Sequence, residues 1–259
     1  MDETRQLYII SGCNGAGKTT ASYTVLPEIL LCKEFVNADE IAKGLSPFNP
    51  ESMAIEAGRL MLKRIDELLA TRTSFSIETT LATRSYTRLI TRAQSAGYKV
   101  SLIYFWLNSP ELAVNRVLQR VNEGGHNVPI DTIYRRYQAG INNLFRIYAP
   151  RVDYWLLADN SVSPRVIVAE GCKVRTGYTN LNFLIASRVM SNNEMQELSD
   201  KLRRGLQLAE QRLLERNARH GKLLSQGTPD GKVIYVSATE LLERLQKQEK
   251  EKSKESEKE

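Results

Sequence analysis

Short apolar runs alternate along this chain with longer segments in which apolar residues recur at helical spacing. The runs predict strands at residues 7–11, 34–38, 74–78, 100–107, 154–158 and 166–169. Alternation of this kind is typical of a mostly parallel β-sheet flanked by helices, so the sequence predicts the α/β class. Because crossovers between parallel strands are right-handed, the loops that follow the strands meet at one edge of the sheet. Chemistry is therefore expected just after each strand.

The loop after the first run carries the clearest chemical signal. Residues 12–19 read Gly-Cys-Asn-Gly-Ala-Gly-Lys-Thr and fit the G-x-x-x-x-G-K-[ST] phosphate loop, between an apolar run and a helical segment. Glycines let backbone N–H groups close around phosphates, and the following helix offers its positive N-terminus. Lys18 is expected to pair with phosphate oxygens and Thr19 to hold Mg²⁺, which predicts a P-loop NTPase fold with ATP and Mg²⁺ as cofactors. The predicted nucleotide contacts are Gly12, Asn14, Gly15, Ala16, Gly17, Lys18, Thr19 and Thr20.

Acidic residues follow the second and third predicted strands. Asp39 comes directly after the second strand, where a carboxylate can take the proton of an attacking hydroxyl or orient Mg²⁺. The alternative is that Asp39 caps a helix beginning at Ile41. Glu78 is followed by two threonines and can bind substrate hydroxyls or a metal-bound water; its alternative is an acidic residue at a helix N-terminus.

Arginines flank a glycine-rich interruption after the fourth predicted strand. Arg116 and Arg120 lie four residues apart, residues 124–129 read Gly-Gly-His-Asn-Val-Pro, and Arg135 and Arg136 follow. Two arginine-bearing helices around a glycine hinge predict a lid that brings guanidinium groups to a transferring phosphoryl group. The alternative is a set of solvated arginines on helix surfaces. His126 is expected to fix the loop by a hydrogen bond or to contact substrate.

Four sequence features together resemble the zeta-toxin family over about residues 5–170. They are the phosphate loop, Asn-Ala-Asp at 37–39, Glu-Thr-Thr at 78–80 and the arginine lid. Zeta toxins are small P-loop kinases of toxin–antitoxin systems, and those characterised phosphorylate the 3′-hydroxyl of the amino sugar of UDP-N-acetylglucosamine. The resemblance implies the same reaction class here. The lid, with its Gly-Gly-His-Asn-Val-Pro run, departs from the best-studied toxins and is closer to shorter chromosomal relatives. The identity of the acceptor therefore stays open.

The resemblance also implies a role for individual residues, according to the position of each in the family's motifs. It makes Asp39 the base, Lys18 a phosphate ligand, and Arg120 with Arg135 or Arg136 the pair that stabilises the phosphoryl group. The catalytic set is then Asp39, Lys18, Arg120 and Arg136, and the substrate-binding set is Glu78, Thr79, Thr80, Arg84, Arg135 and His126.

Composition narrows the class further. The 259 residues carry a net charge of +6 and lack an apolar run near the length of a membrane span, and the charged N-terminus lacks a secretory pattern, so a cytoplasmic protein with no membrane partner is expected. Cys13, Cys32 and Cys172 are widely spaced, which indicates neither a disulfide framework nor a zinc site. The excess arginine is expected to gather anionic oxygens in one cleft, so nucleic acid is not a predicted partner.

The composition changes after the sixth predicted strand. We expect a kinase domain at 1–188, a small, mainly helical accessory module at 189–246, and a charged disordered tail or frayed helix at 247–259. The module is expected to be antitoxin-like or dimerising, or else an appendage that completes the kinase core. Its amphipathic helix presents Leu198, Leu202, Leu206, Ala209, Leu213 and Leu214 along one face.

Three functions remain open on the sequence alone. The first is a kinase acting on a sugar nucleotide, with an antitoxin as partner in cis or in trans. The second is a nucleotide, polynucleotide or antibiotic kinase, because the same loop, base and arginines serve many acceptors. The third is a P-loop ATP-binding switch, which has no need of a base such as Asp39.

Overall fold

A six-stranded sheet lies at the centre of the protein. The computed structural model describes residues 5–125, 127–172 and 193–256. The strand order is β2-β3-β1-β4-β5-β6, with β1 to β5 parallel and β6 antiparallel at the edge, which confirms the predicted class. The strands are β1 (Gln6–Gly12), β2 (Glu34–Val36), β3 (Phe75–Thr79), β4 (Lys99–Trp106), β5 (Tyr154–Asp159) and β6 (Val166–Cys172).

Helices cover both faces of the sheet, because side chains of the central strands are apolar on both sides. Leu7 and Ile9 of β1 lie in one core, and Tyr8 and Ile10 lie in the other. This is the pattern of a parallel sheet that is buried on both faces. The helices of this part are α1 (Lys18–Thr24), α2 (Ala38–Leu45), α3 (Ala54–Ala70), α4 (Tyr86–Ser95), α5 (Pro110–Asn122) and α6 (Ile130–Asn143); a π-helical turn extends α1 through Ile29 and α6 through Tyr148.

Helix α6 crosses the carboxyl edge of the sheet. Ile133 near its start packs in the core beneath α1 and α5, and Leu144 just after its end packs in the opposite core. At the crossing, a Cβ on Gly140 would lie 2.7 Å from both the Thr80 carbonyl oxygen and the Tyr104 hydroxyl. A glycine is therefore required where the helix touches the sheet edge.

The C-terminal module, defined here as residues 193–256, consists of α7 (Asn193–Ala218), the antiparallel pair β7 (Leu223–Gly227) and β8 (Val233–Ser237), and α8 (Ala238–Ser256). The short apolar run at 232–236 predicts a strand, and β8 lies there, whereas β7 was not predicted. Residues 237–240 read Ser-Ala-Thr-Glu, a capping-box pattern, and the Ser237 hydroxyl accepts a hydrogen bond from the Glu240 N–H at 3.1 Å. Helix α8 continues to Ser256, into the segment for which a disordered tail or frayed helix was expected.

The apolar stripe of α7 is buried inside the chain. Leu202, Leu206 and Ala209 pack in the core that contains α1, and Leu214 packs with Leu241 of α8 in a small separate core. The proposed boundary at residue 188 lies outside the described residues. In the part that the structure describes, no helix combines the length and apolarity that a bilayer crossing needs.

Candidate active site

The phosphate loop joins β1 to α1, and two of its glycines have left-handed backbone conformations. Gly15 and Gly17 have φ of 77° and 83°, in the left-handed region that L side chains rarely adopt. A Cβ on Gly17 would also lie 2.5 Å from the Asn160 side-chain nitrogen. The Lys18 ammonium donates a hydrogen bond to the Cys13 carbonyl oxygen at 2.9 Å, which keeps the lysine folded over the loop. The predicted loop is thus preformed, with its cation in place.

Glu78 lies beside the first residues of α1. The Thr19 hydroxyl is within hydrogen-bond distance of both Glu78 carboxylate oxygens, at 2.9 and 3.0 Å, and the Lys18 ammonium is 3.8 Å from one of them. Burial raises the pKa of Glu78, an effect that Lys18 and the hydrogen bond from Thr19 oppose. Glu78 belongs to β3, and the next helix begins only at Tyr86, so the alternative of a helix N-terminal acid is wrong. A hydroxyl and a carboxylate side by side match the oxygen ligands that Mg²⁺ takes.

Asp39 lies in the first turn of α2, facing the same cleft. The cap of that helix is Asn37, whose side-chain oxygen accepts hydrogen bonds from the backbone N–H groups of Asp39 and Glu40 at 2.9 and 3.4 Å. The alternative that Asp39 caps a helix starting at Ile41 is therefore wrong. Within the described ranges, the Asp39 carboxylate has no hydrogen bond or ion pair, and it remains exposed in the cleft. A carboxylate of this kind is available to a ligand.

The arginine-bearing helices border the phosphate loop as predicted. The Arg136 guanidinium donates a hydrogen bond to the Asn14 side-chain oxygen at 3.2 Å, which puts a cation of α6 directly on the loop. Arg120 and Arg135 line the same cleft, whose volume is about 1240 Å³. Ser109 followed by Pro110 predicts the start of a helix, and α5 begins there: the Ser109 hydroxyl accepts a hydrogen bond from the Leu112 N–H at 3.2 Å.

Arg116 does not have the role expected of a lid residue. Its guanidinium donates to the carbonyl oxygens of Asn160 at 2.8 Å and of Ser225 at 2.9 Å, so it is fully engaged by backbone. Burial, reinforced by the nearby Arg165 cation, lowers the pKa of Arg116 to about 10. A residue held in this way joins three chain segments and is not free to swing onto a phosphate.

The remaining predicted contacts divide into two groups. Gly12, Ala16 and Thr20 belong to the loop region: a Cβ on Gly12 would lie 2.3 Å from the Phe105 carbonyl oxygen, Ala16 is fully buried, and Thr20 lines the cleft.

Thr79, Thr80 and Arg84 form the second group and do not line the cleft. The Thr79 hydroxyl accepts a hydrogen bond from the Leu81 N–H at 3.0 Å, and the Thr80 carbonyl oxygen is packed beneath α6. Arg84 lies in a separate surface groove with Arg88 and Arg146. His126 lies outside the described residues.

Asn160 and Arg165 border the loop although the motifs did not single them out. The Asn160 amide donates to the Ala16 carbonyl oxygen at 2.7 Å, and the Arg165 guanidinium donates to the Asn160 side-chain oxygen at 2.8 Å. The signal in the sequence was the polar Asp-Asn-Ser step after the fifth predicted strand, since every strand end of a parallel sheet reaches this edge.

Cys13 of the phosphate loop is a packing residue, and we predict that it resists alkylation. The side chain is 2% exposed, and burial raises the pKa of its thiol to about 11, so very little thiolate exists at pH 8. Native protein treated with iodoacetamide at pH 8 should retain an unmodified Cys13 by peptide mass spectrometry, whereas unfolded protein should be modified at all its cysteines. Rapid modification of native Cys13 would contradict its placement in the core.

A parallel sheet whose first strand leads into a phosphate loop, with carboxylates and arginines gathered on one edge, defines a P-loop kinase. A family model described as "Zeta toxin" matches residues 1–149, and the chain belongs to this family. Together, family and fold support an ATP-dependent kinase. A second model, described as "Domain of unknown function (DUF8506)", matches residues 190–247.

The chain is also similar to one curated protein and to several solved structures. An uncharacterized protein of Haemophilus influenzae strain Rd is 29% identical over 126 residues, which are 49% of this chain and 88% of that protein. The structure from the PezAT chromosomal toxin–antitoxin system of Streptococcus pneumoniae has a TM-score of 0.53 at 17% identity, over 80% of this chain and 88% of that one. AvrRxo1-ORF1:AvrRxo1-ORF2 with sulphate ions gives 0.55 at 17% identity, over 80% and 76%. At these identities the structures show a common fold.

Proposed function

We propose that this protein is a Mg²⁺-dependent kinase that transfers the γ-phosphoryl group of ATP to a hydroxyl of a sugar nucleotide, with UDP-N-acetylglucosamine as the acceptor. The observation that carries the proposal is the Asp39 carboxylate. Asn37 caps α2 in its place, and Asp39 shares one cleft with Lys18 and Thr19. A protein that only binds ATP has no need of such a base, whereas transfer to a hydroxyl does.

Each group of the cleft has a task in this reaction. Asp39 accepts the proton of the attacking hydroxyl, and Lys18 neutralises phosphate oxygens. Thr19 and Glu78 would hold Mg²⁺, which supplies charge neutralisation on the phosphates when bound. Arg136, already bonded to Asn14, with Arg120 and Arg135, stabilises the negative charge that spreads over the transferring phosphoryl group.

The acceptor side of the cleft supports a sugar nucleotide. Phe48, which is completely exposed, lines the cleft together with Asp39 and Glu51. An uncovered aromatic ring offers a stacking surface for a nucleobase, and the cleft volume of about 1240 Å³ accommodates more than one nucleotide-sized ligand. Family membership supports UDP-N-acetylglucosamine as the first compound to test.

Phosphorus NMR tests the proposal directly. Purified protein is incubated with ATP, Mg²⁺ and UDP-N-acetylglucosamine, beside a sample without acceptor. We expect a new sugar phosphomonoester signal that grows as ADP appears. If ATP remains intact, or is hydrolysed without a phosphorylated sugar, the sugar nucleotide is not the acceptor.

We also propose that the kinase acts as a toxin that an antitoxin holds in check. Support comes from family membership and from the similarity in fold to a structure of the pneumococcal PezAT toxin–antitoxin system. Induced expression in a bacterial host should slow growth, and an Asp39→Asn variant expressed at the same level should not. Equal growth inhibition by both proteins would argue against toxicity through phosphoryl transfer.

A further inference from the structure

The C-terminal module lies along the phosphate-loop cleft. Helix α7 packs against α1 and its extension: Gly205 lies against Ile29 beyond the end of α1, and Ala209 packs in the same core as Ala21. Further along α7, Leu213 and Asn217 line the cleft that contains Thr20 and the phosphate loop. The second half of α7 therefore reaches the mouth of the nucleotide site.

Hydrogen bonds fix the module to the segments that border the loop. The Gly227 N–H donates to the Ser161 carbonyl oxygen at 2.8 Å, and the Arg116 guanidinium donates to the Ser225 carbonyl oxygen. The buried Glu210 carboxylate accepts a hydrogen bond from the Arg165 N–H at 2.8 Å. Strand β7 and α7 are thus held beside the loop that follows β5.

The strand order shows which end of a bound nucleotide this wall would face. Glu78 and Asp39 follow β3 and β2, on one side of β1, whereas Asn160 follows β5 on the other side. If the terminal phosphate of a nucleoside triphosphate lies at Thr19 and Glu78, the side of the cleft left for its base is the side of β5. The module borders the cleft on that side, through α7 and β7.

Two buried amides of the module line this part of the cleft. Gln226 is 7% exposed, and its side chain makes no hydrogen bond with any residue that the structure describes. Asn217 is 8% exposed; its nitrogen donates to the Leu213 carbonyl oxygen at 2.8 Å, which leaves its oxygen available. The free polar atoms of these two amides are not closed off from the cleft, so they can offer hydrogen bonds to a ligand bound there. Val162, Leu213 and Leu224 add apolar surface beside the two amides.

We propose that the C-terminal module forms the base-binding wall of the nucleotide donor site, in which Gln226 and Asn217 hydrogen-bond the base edge and the neighbouring apolar side chains pack against the ring. The inference rests on the proposed function, since it takes the donor to be a nucleoside triphosphate. With the module in place the cleft keeps about 1240 Å³, above the usual range of ligand pockets. The module therefore leaves room for the nucleotide.

Binding measurements with two probes test the wall. Calorimetric titrations of the full chain use ATP, which has a base, and inorganic tripolyphosphate, which has none. Gln226→Leu should weaken ATP binding roughly tenfold, the effect of one buried hydrogen-bonding group, and change tripolyphosphate binding less than about twofold. Gln226→Glu, which keeps the shape of the side chain, should weaken ATP at least as much. Gln246→Leu, an exposed position on α8 outside the cleft, is the matched control and should bind both probes normally.

Each alternative outcome has a distinct meaning. Unchanged ATP affinity in both Gln226 variants, tighter ATP binding, or equal weakening of ATP and tripolyphosphate would each overturn the base-binding wall while leaving the proposed kinase intact. Failure of the wild-type chain to bind either probe would instead overturn the proposed function, and the wall with it. Circular dichroism of each variant verifies that the compared proteins are folded.

Discussion

Asp39→Asn is expected to lower the rate of phosphoryl transfer about 1000-fold while ATP affinity stays within about twofold of the wild-type value. The amide keeps the size of the side chain but cannot take up the proton of the acceptor hydroxyl. The Asp39 carboxylate has no hydrogen bond or ion pair with the described residues, so its replacement by an amide breaks no structural contact. Single-turnover phosphate transfer measures the rate, and calorimetry measures ATP binding.

Glu40→Gln is the matched control for this variant. It removes the same charge from the next residue of α2, which also lines the cleft. If loss of negative charge alone explained the effect, the two variants would be equally slow. An Asp39→Asn protein that transfers phosphate at the wild-type rate would remove Asp39 from the mechanism and favour an ATP-binding switch or a different base.

Arg116→Ala is expected to lower the free energy of unfolding by about 3 kcal/mol, because buried carbonyl oxygens of Asn160 and Ser225 lose a charged donor. For a chain of this size the loss corresponds to a fall in Tm of about 10 °C. Scanning calorimetry measures it directly.

Arg88→Ala removes the same side chain from an exposed position on α4 and should change the free energy of unfolding by less than about 0.5 kcal/mol. Equal Tm values for the Arg116 variant and the wild type would mean that the module is not held to the kinase core through this arginine.

Local patterns were sufficient for much of the fold and for the centre of the site. The phosphate loop, the strand before it and the glycine break between α5 and α6 depend on neighbours in sequence, and all of them appear in the structure. The alternative that Asp39 caps α2 is wrong by two residues. It arose because Asn37 and Asp39 are both good cap residues and the sequence does not show where the helix begins.

Contacts between segments far apart in sequence could not be predicted from the sequence. Thr19 and Glu78 are joined only because β1 and β3 are neighbours in the sheet, and Arg116 meets Ser225 only through the packing of the module. Strand β7 reads Leu-Leu-Ser-Gln-Gly, a run too short and too polar to show the alternation of a strand. Its place is determined by pairing with β8 and by α5.

The course of α6 through both cores restricts the movement of this helix. The Tyr137 hydroxyl donates to the Leu107 carbonyl oxygen at 2.7 Å, and Gly140 is wedged against the sheet edge, so the helix that carries Arg136 cannot tilt without disturbing both faces of the sheet. Arg136 is therefore held at a constant position beside Asn14 of the phosphate loop, so its guanidinium is in place before a nucleotide binds.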